Sequence, residues 1–284
     1  MSSPLARPYT PVGPNLSIFD PLFIGLDEFG QPVHLSLIYR NILLGGEPGA
    51  GKSSLLNNVV GHAALSDDTD LVLIDGKLVE LGLWRECADV FVGPDLDHAI
   101  DTLERLQKVM DNRYEYLDSQ RRQKIVRDDV MRRILLAIDE LAYFSATVGT
   151  KIEQDHFSAL NRDIAARGRA VGIVDASATQ RPSSDIIPTS LRCLFAWRWA
   201  GRCVDDSSSD VVLGHGWTNR GYSAARIDPN NQGEGLLLAE DGIPVALKAA
   251  HMTNDDIIRV ADYAASVRRT RAANATTPNL GAVA

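Results

Sequence analysis

An α/β fold, with a mostly parallel sheet and helices on both faces, is the expectation from this sequence, and three observations carry it. Short apolar runs alternate with segments of helical periodicity between residues 41 and 200. One run, NILLGG, passes into a glycine-rich loop and then a helical segment, GEPGAGKSSLL. Another, ILLAID, ends in the acidic pair Asp139–Glu140, at the strand end where open α/β sheets bind ligands.

The elements follow in order. The first 20 residues are rich in Pro and Ser and read as a flexible arm. PLFIGLDEFGQPVHLSL places two apolar runs around DEFGQP and predicts a hairpin. Strands are expected at 41–46, 71–76, 90–93, 134–139, 172–180 and 194–200, and helices at 52–62, 95–128 and 152–168. Between 95 and 117, Leu96, Ile100, Leu103, Leu106, Met110, Tyr114 and Leu117 recur at helical steps. GLLL and PVALKAA predict two late strands. TNDDIIRVADYAASVRRT predicts a last helix, capped by Thr253, with acids in its first turn and arginines in its last. One domain over 21–271 is the simplest division, with 272–284 as a disordered tail.

Bulk composition narrows the function classes. The chain has 284 residues, 29 basic against 37 acidic, for a net charge of −8. That balance argues against a generally basic surface that coats nucleic acid, though not against a local basic strip or a positively lined ring. No run approaches the ~18–20 apolar residues of a membrane-spanning helix, and the N-terminus lacks the apolar core of a secretory signal. A cytoplasmic protein is expected. Cys87, Cys193 and Cys203 lack metal-site spacing and read as reduced thiols.

The chemistry begins at the loop Gly46, Glu47, Pro48, Gly49, Ala50, Gly51, Lys52, Ser53 and Ser54, which satisfies G-x-x-x-x-G-K-[ST]. Its glycines let backbone N–H groups surround phosphates, Lys52 reaches the β/γ-phosphates, and Ser53 offers a hydroxyl to Mg²⁺. Asp139 is expected to hold the same Mg²⁺ and Glu140 to polarise an attacking water, which favours hydrolysis over simple binding. SATQRP ends a third strand and would set Gln180 beside the phosphate loop as a γ-phosphate sensor. Asp175, inside that strand, reads as solvated or interface-facing. Arg162, Arg167 and Arg169 read singly as a solvated helix face, yet a hydrolase needs positive charge on the transition-state oxygens beyond Lys52 and Mg²⁺.

Taken in order, LVLIDGKLVEL, NRYEYL, LLAIDELA, ARGRAVGI, SATQRP and VVLGHG resemble the FtsK/SpoIIIE family of DNA-pumping ATPases over about 38–216. The resemblance implies a RecA-like P-loop NTPase core, ATP bound with Mg²⁺ between subunits, and a homo-oligomer, hexameric in that family, closed around double-stranded DNA. It implies that Arg169 reaches the neighbour's nucleotide, with Arg202 near a second such basic position. It places the segment after Gln180 against the pore, with Arg181 and Arg192 contacting DNA phosphates. Large family members carry membrane helices upstream and a winged-helix module downstream, and this chain shows neither. It is most similar to the short transfer proteins of actinobacterial conjugative plasmids and integrative elements, which implies recruitment to a membrane-protein partner.

Two other readings remain. A type VII secretion-like ATPase of the same family would act on polypeptides; one motor module counts against it, and the acidic balance mildly favours it. A nucleotide-binding scaffold without turnover is opposed by intact Lys52, Asp139 and Glu140.

Overall fold

The computed structural model describes residues 16–240 and 242–274. Two strands, β1 (Leu22–Asp27) and β2 (Pro32–Leu35), form the expected hairpin. Asp27 Oδ1 closes its turn by accepting from the N–H groups of Phe29 and Gln31. Next come β3 (Ile42–Gly45), α1 (Lys52–Leu65), β4 (Thr69–Ile74) and β5 (Val90–Val92). They are followed by α2 (Leu96–Ser119), β6 (Arg133–Ile138), α3 (Lys151–Arg167) and β7 (Ile173–Thr179). The short α4 (Thr189–Arg192), β8 (Trp197–Gly201) and α5 (Asp206–Leu213) lead to β9 (Glu234–Leu238), β10 (Val245–Ala249) and α6 (Asn254–Asn274).

All ten strands join one sheet, in the order β2-β1-β10-β9-β8-β3-β7-β6-β4-β5. The stretch from β8 to β5 is parallel, and β2, β1, β10 and β9 add an antiparallel wing beyond β8. Every residue of β3, β4, β6 and β7 is buried, as a sheet covered on both faces requires. Alternation divides the strands between two cores. Leu43, Val72 and Ile74 pack with α2, α3 and α5, whereas Ile42, Leu44, Leu71 and Leu73 pack with α1 and α6.

Some expectations shift. The helix expected over 95–128 ends at Ser119, because the chain turns at Arg121 with φ 54°. The loop that follows wraps around the buried Arg133, whose guanidinium donates to the carbonyls of Val126, Arg127, Asp129 and Met131. Asp175 is neither solvated nor at an interface; it is fully buried. Its N–H donates to Asn41 Oδ1 (3.0 Å), and its Oδ1 accepts from Ser177 Oγ (2.6 Å). Burial pushes its carboxyl up to about 7.

At the ends, residues 16–20 of the expected arm are held against the body: Ile18 is buried and Ser17 Oγ donates to Asp68 Oδ2 (2.5 Å). Helix α6 runs to Asn274, into the expected tail. The rest of the arm (1–15) and of the tail (275–284) lies outside the described residues. Among the described residues, no helix is long and apolar enough to cross a membrane.

Candidate active site

The phosphate loop joins β3 to α1 in the middle of the parallel sheet, between β7 and β8. Gly51 takes φ 100° at the N-terminus of α1, a backbone state that L side chains avoid. Lys52 folds back inside the loop: its Nζ donates to the carbonyls of Gly46 (2.6 Å) and Glu47 (2.8 Å). Burial pushes its ammonium down to about 8, with Glu140 and Asp139 pulling the other way. A polyphosphate in the loop supplies the anion this buried cation lacks.

The acidic pair stands at the end of β6, both residues 6 % exposed. Glu140 is held closely. Its Oε1 accepts from Thr179 Oγ1 (2.7 Å), both of its oxygens lie 3.1 Å from the Gln180 N–H, and Lys77 Nζ is 3.4 Å from Oε2. Asp139 differs. Its Oδ2 is buried without a hydrogen-bond partner. Burial pushes its carboxyl up to about 7, with repulsion from Asp75, Glu80 and Glu140 adding to the effect and Lys77 opposing it. An orphaned carboxylate oxygen near enough to act on the charge of Lys52, with the Ser53 hydroxyl on the same loop, fits a magnesium ion held by Asp139 and Ser53. When bound, that ion neutralises charge on the phosphate oxygens.

A cleft of about 530 Å³ opens over the loop, lined by Lys52, Ser53 and Ser54 on one side and Gln180 and Glu80 on another. Its third wall comes from the antiparallel wing: Gly233, Lys248 and His251. The ring of His251 lies 3.3 Å from Ser54 Oγ. No motif marks these wing residues, because their position depends on the wing folding back to β8. Lys77 and Glu80 did carry a signal, the DGKLVEL segment, but no role came with it.

The arginines separate by place. Arg169 lies in the turn Gly168–Val171 that precedes β7, so the length of that strand, about 20 Å, divides it from Gln180 and the cleft. It does not reach its own nucleotide site. Arg167 is tied to Asp163 and Asp111, and Arg162 donates to Ser190 Oγ (3.4 Å). Arg181 is exposed and pairs with Asp185 four residues on (2.9 Å). Arg192 needs correction as a DNA contact: it is 6 % exposed, its guanidinium points at the Val211 carbonyl (3.3 Å), and burial lowers its affinity for a proton. Arg202, too, serves its own loop. Its NH1 lies 2.5 Å from Glu47 Oε2, off the hydrogen-bond axis, and its carbonyl accepts from the Glu47 N–H (2.8 Å).

The arrangement can bind a polyphosphate and present a fixed carboxylate to a water at its far end. The chain is 28% identical over 211 residues to the DNA translocase FtsK of Borreliella burgdorferi (68% of this chain, 26% of that protein). It is 31% identical over 193 residues to the DNA translocase FtsK of Chlorobaculum tepidum (61% and 23%). It thus spans about a quarter of the length of these relatives. Among solved structures, the pCW3 conjugation coupling protein TcpA, in its monomer form with ATPγS, superposes with a TM-score of 0.73 at 21% identity (87% of this chain, 70% of that one). The cytoplasmic domain of the type VII secretion ATPase EccC from Thermomonospora curvata gives 0.67 at 21% identity (89% and 32%). At such identities the likeness is one of fold, the RecA-like core. The FtsK/SpoIIIE family model matches residues 24–144. That segment contains β3, the phosphate loop and β6 with its acidic pair, so the similarity to the FtsK/SpoIIIE family falls on the parts that build the site.

Proposed function

We propose that this chain hydrolyses ATP and uses the energy to translocate double-stranded DNA, as one subunit of a hexameric ring, in the conjugative transfer of a plasmid or integrative element. The observation that carries the reading is Glu140, buried and held by groups from two neighbouring strands, beside Asp139 and across from Lys52. A scaffold that only bound nucleotide has no use for a carboxylate fixed there. Gln180, whose N–H donates to Glu140, lines the cleft over the phosphate loop and serves as the γ-phosphate sensor.

The distance of Arg169 from its own cleft supports a site completed by a neighbouring copy, whose Arg169 stabilises the transition state. Arg181, exposed directly after Gln180, is the phosphate contact kept from the sequence reading, with DNA phosphate displacing Asp185 from it. A ring multiplies such contacts, which reconciles DNA binding with a net charge of −8. A cytoplasmic location with recruitment by a membrane-protein partner belongs to the same proposal.

ATP hydrolysis measured with and without long double-stranded DNA at moderate salt tests it. Stimulation by DNA is expected. Turnover unaffected by DNA of any length, yet raised by a polypeptide substrate, moves the reading to the type VII secretion branch, which the acidic balance favours. ATP binding without turnover under any condition returns the chain to the scaffold reading.

A further inference from the structure

We infer that Lys77 is a positioning residue that orients Glu140 for water attack, an inference that rests on the ATP-hydrolysing reading above. It stands on the loop that follows β4, DGKLVELG (75–82), and that loop is fixed from within by one side chain. Asp75 is fully buried. Its Oδ1 accepts from the N–H groups of Lys77 and Leu78 (2.9 Å each), and its Oδ2 from those of Leu81 (2.9 Å) and Gly82 (3.1 Å). Four backbone donors on one carboxylate give the loop a defined shape and hold Leu78 at φ 61°. The Lys77 side chain leaves this fixed turn toward the end of β6, and its Nζ reaches Glu140 Oε2.

The sheet order explains why this matters. β6 carries Glu140 and lies between β4 and β7, so each neighbour supplies one hold on the carboxylate. From the β7 side come Thr179 Oγ1 and the Gln180 N–H. From the β4 side comes Lys77, the only side-chain donor to Oε2 among the described residues. Asp139 sits next to Glu140 in the chain, and a second lysine whose charge acts on the pair, Lys52, is turned onto the carbonyls of Gly46 and Glu47. Lys77 is therefore the cation that holds Oε2 and stops the Glu140 carboxylate from rotating about its Thr179 side. Its effect belongs to the chemical step and not to ATP binding.

Lys77→Met removes the ammonium and leaves the loop intact, because Asp75 grips the backbone. The expected result is a fall of about ten- to hundredfold in kcat, the range for losing one charge-assisted hydrogen bond. The Kd of a fluorescent ATP analogue and the Tm are expected to stay within about twofold and a few degrees. Lys77→Arg should restore most of the rate. In a Glu140→Gln background, Lys77→Met should add nothing, since the group it positions is gone. Full kcat in Lys77→Met, an equal loss in the Glu140→Gln background, or a drop confined to ATP affinity or Tm would each overturn the inference while the wild-type chain hydrolyses ATP. A wild-type chain with no turnover overturns the functional reading itself, and this inference with it.

Discussion

Gly51 and Gly233 stand backbone to backbone: a Cβ on Gly51 would lie 2.4 Å from the Gly233 Cα. The Gly233 N–H donates to the Ala50 carbonyl (3.1 Å), and the Gly233 carbonyl accepts from the Ala249 N–H (2.8 Å). The antiparallel wing thus braces the phosphate loop directly. The two glycines are predicted to respond differently to Ala. Gly51→Ala meets backbone as well as a forbidden φ, and should lower stability by about 2 kcal/mol or more and abolish nucleotide binding. A Cβ on Gly233 finds nothing nearer than 3.9 Å, so only its φ of 80° is strained. That variant should lose about 1 kcal/mol. Thermal unfolding of both, without nucleotide, checks the contrast; equal losses would mean the close approach does not matter.

Arg202 is predicted to act on its own loop. Glu47 puts a carboxylate beside the place a polyphosphate would occupy, and Arg202 neutralises it. Arg202→Ala leaves that charge facing the phosphates, and ATP affinity should fall about tenfold, the effect of one charge-assisted contact. Removing both charges, with Glu47→Gln, should recover most of the affinity. Fluorescent-nucleotide titration reads both, and an affinity unchanged in Arg202→Ala would show that the pair is decorative.

Asp175 predicts a pH dependence of stability. Its folded value, raised to about 7, lies above the ordinary 3.8, so the folded chain holds this proton more tightly than the unfolded one. The resulting stability is complete below about pH 4 and is lost as pH rises to about 7. Asp175→Asn keeps the acceptor for Ser177 and carries no charge. It should therefore exceed wild type by a few kcal/mol at pH 8, with the gap closing toward pH 4. Denaturant titrations across this range test it, and a constant difference would place the cause elsewhere.

Arg169 and Glu140 are predicted to complement each other across copies. Arg169→Ala should abolish turnover yet bind ATP, and Glu140→Gln should trap bound ATP. Mixing the two variants should recover part of the activity, because intact pairs form where an Arg169 copy faces a Glu140 copy. No recovery at any ratio would remove Arg169 from a shared site.

Much of this was legible in advance because its signals are local. The run before Gly46 and the glycines after it state a strand, a loop and a helix within sixteen residues, and LLAIDE states a strand end in six. Thr253 caps α6 as expected, accepting from the Asp256 N–H (3.2 Å). The arginines were less legible. Arg181 and Arg192 are alike as letters near a pore-facing segment, but Arg192 falls where α4 meets the end of α5 and turns inward. Asp175 reads as a polar residue in a strand; only the folded sheet, where β7 lies between β3 and β6 and every one of its residues is buried, shows that it is closed off on all sides.

The sequence by itself determined the phosphate loop, the acidic pair, the parallel core and the family likeness, since each rests on residues adjacent in the chain or on a period of two or 3.6. Tertiary structure alone decided what surrounds them. It brought Gly233, Lys248 and His251 over the loop, set Lys77 on Glu140 and Arg202 on Glu47, and left Arg169 at the far end of its strand. Those placements depend on strand order, which joins segments up to about two hundred residues apart, and no local pattern encodes it.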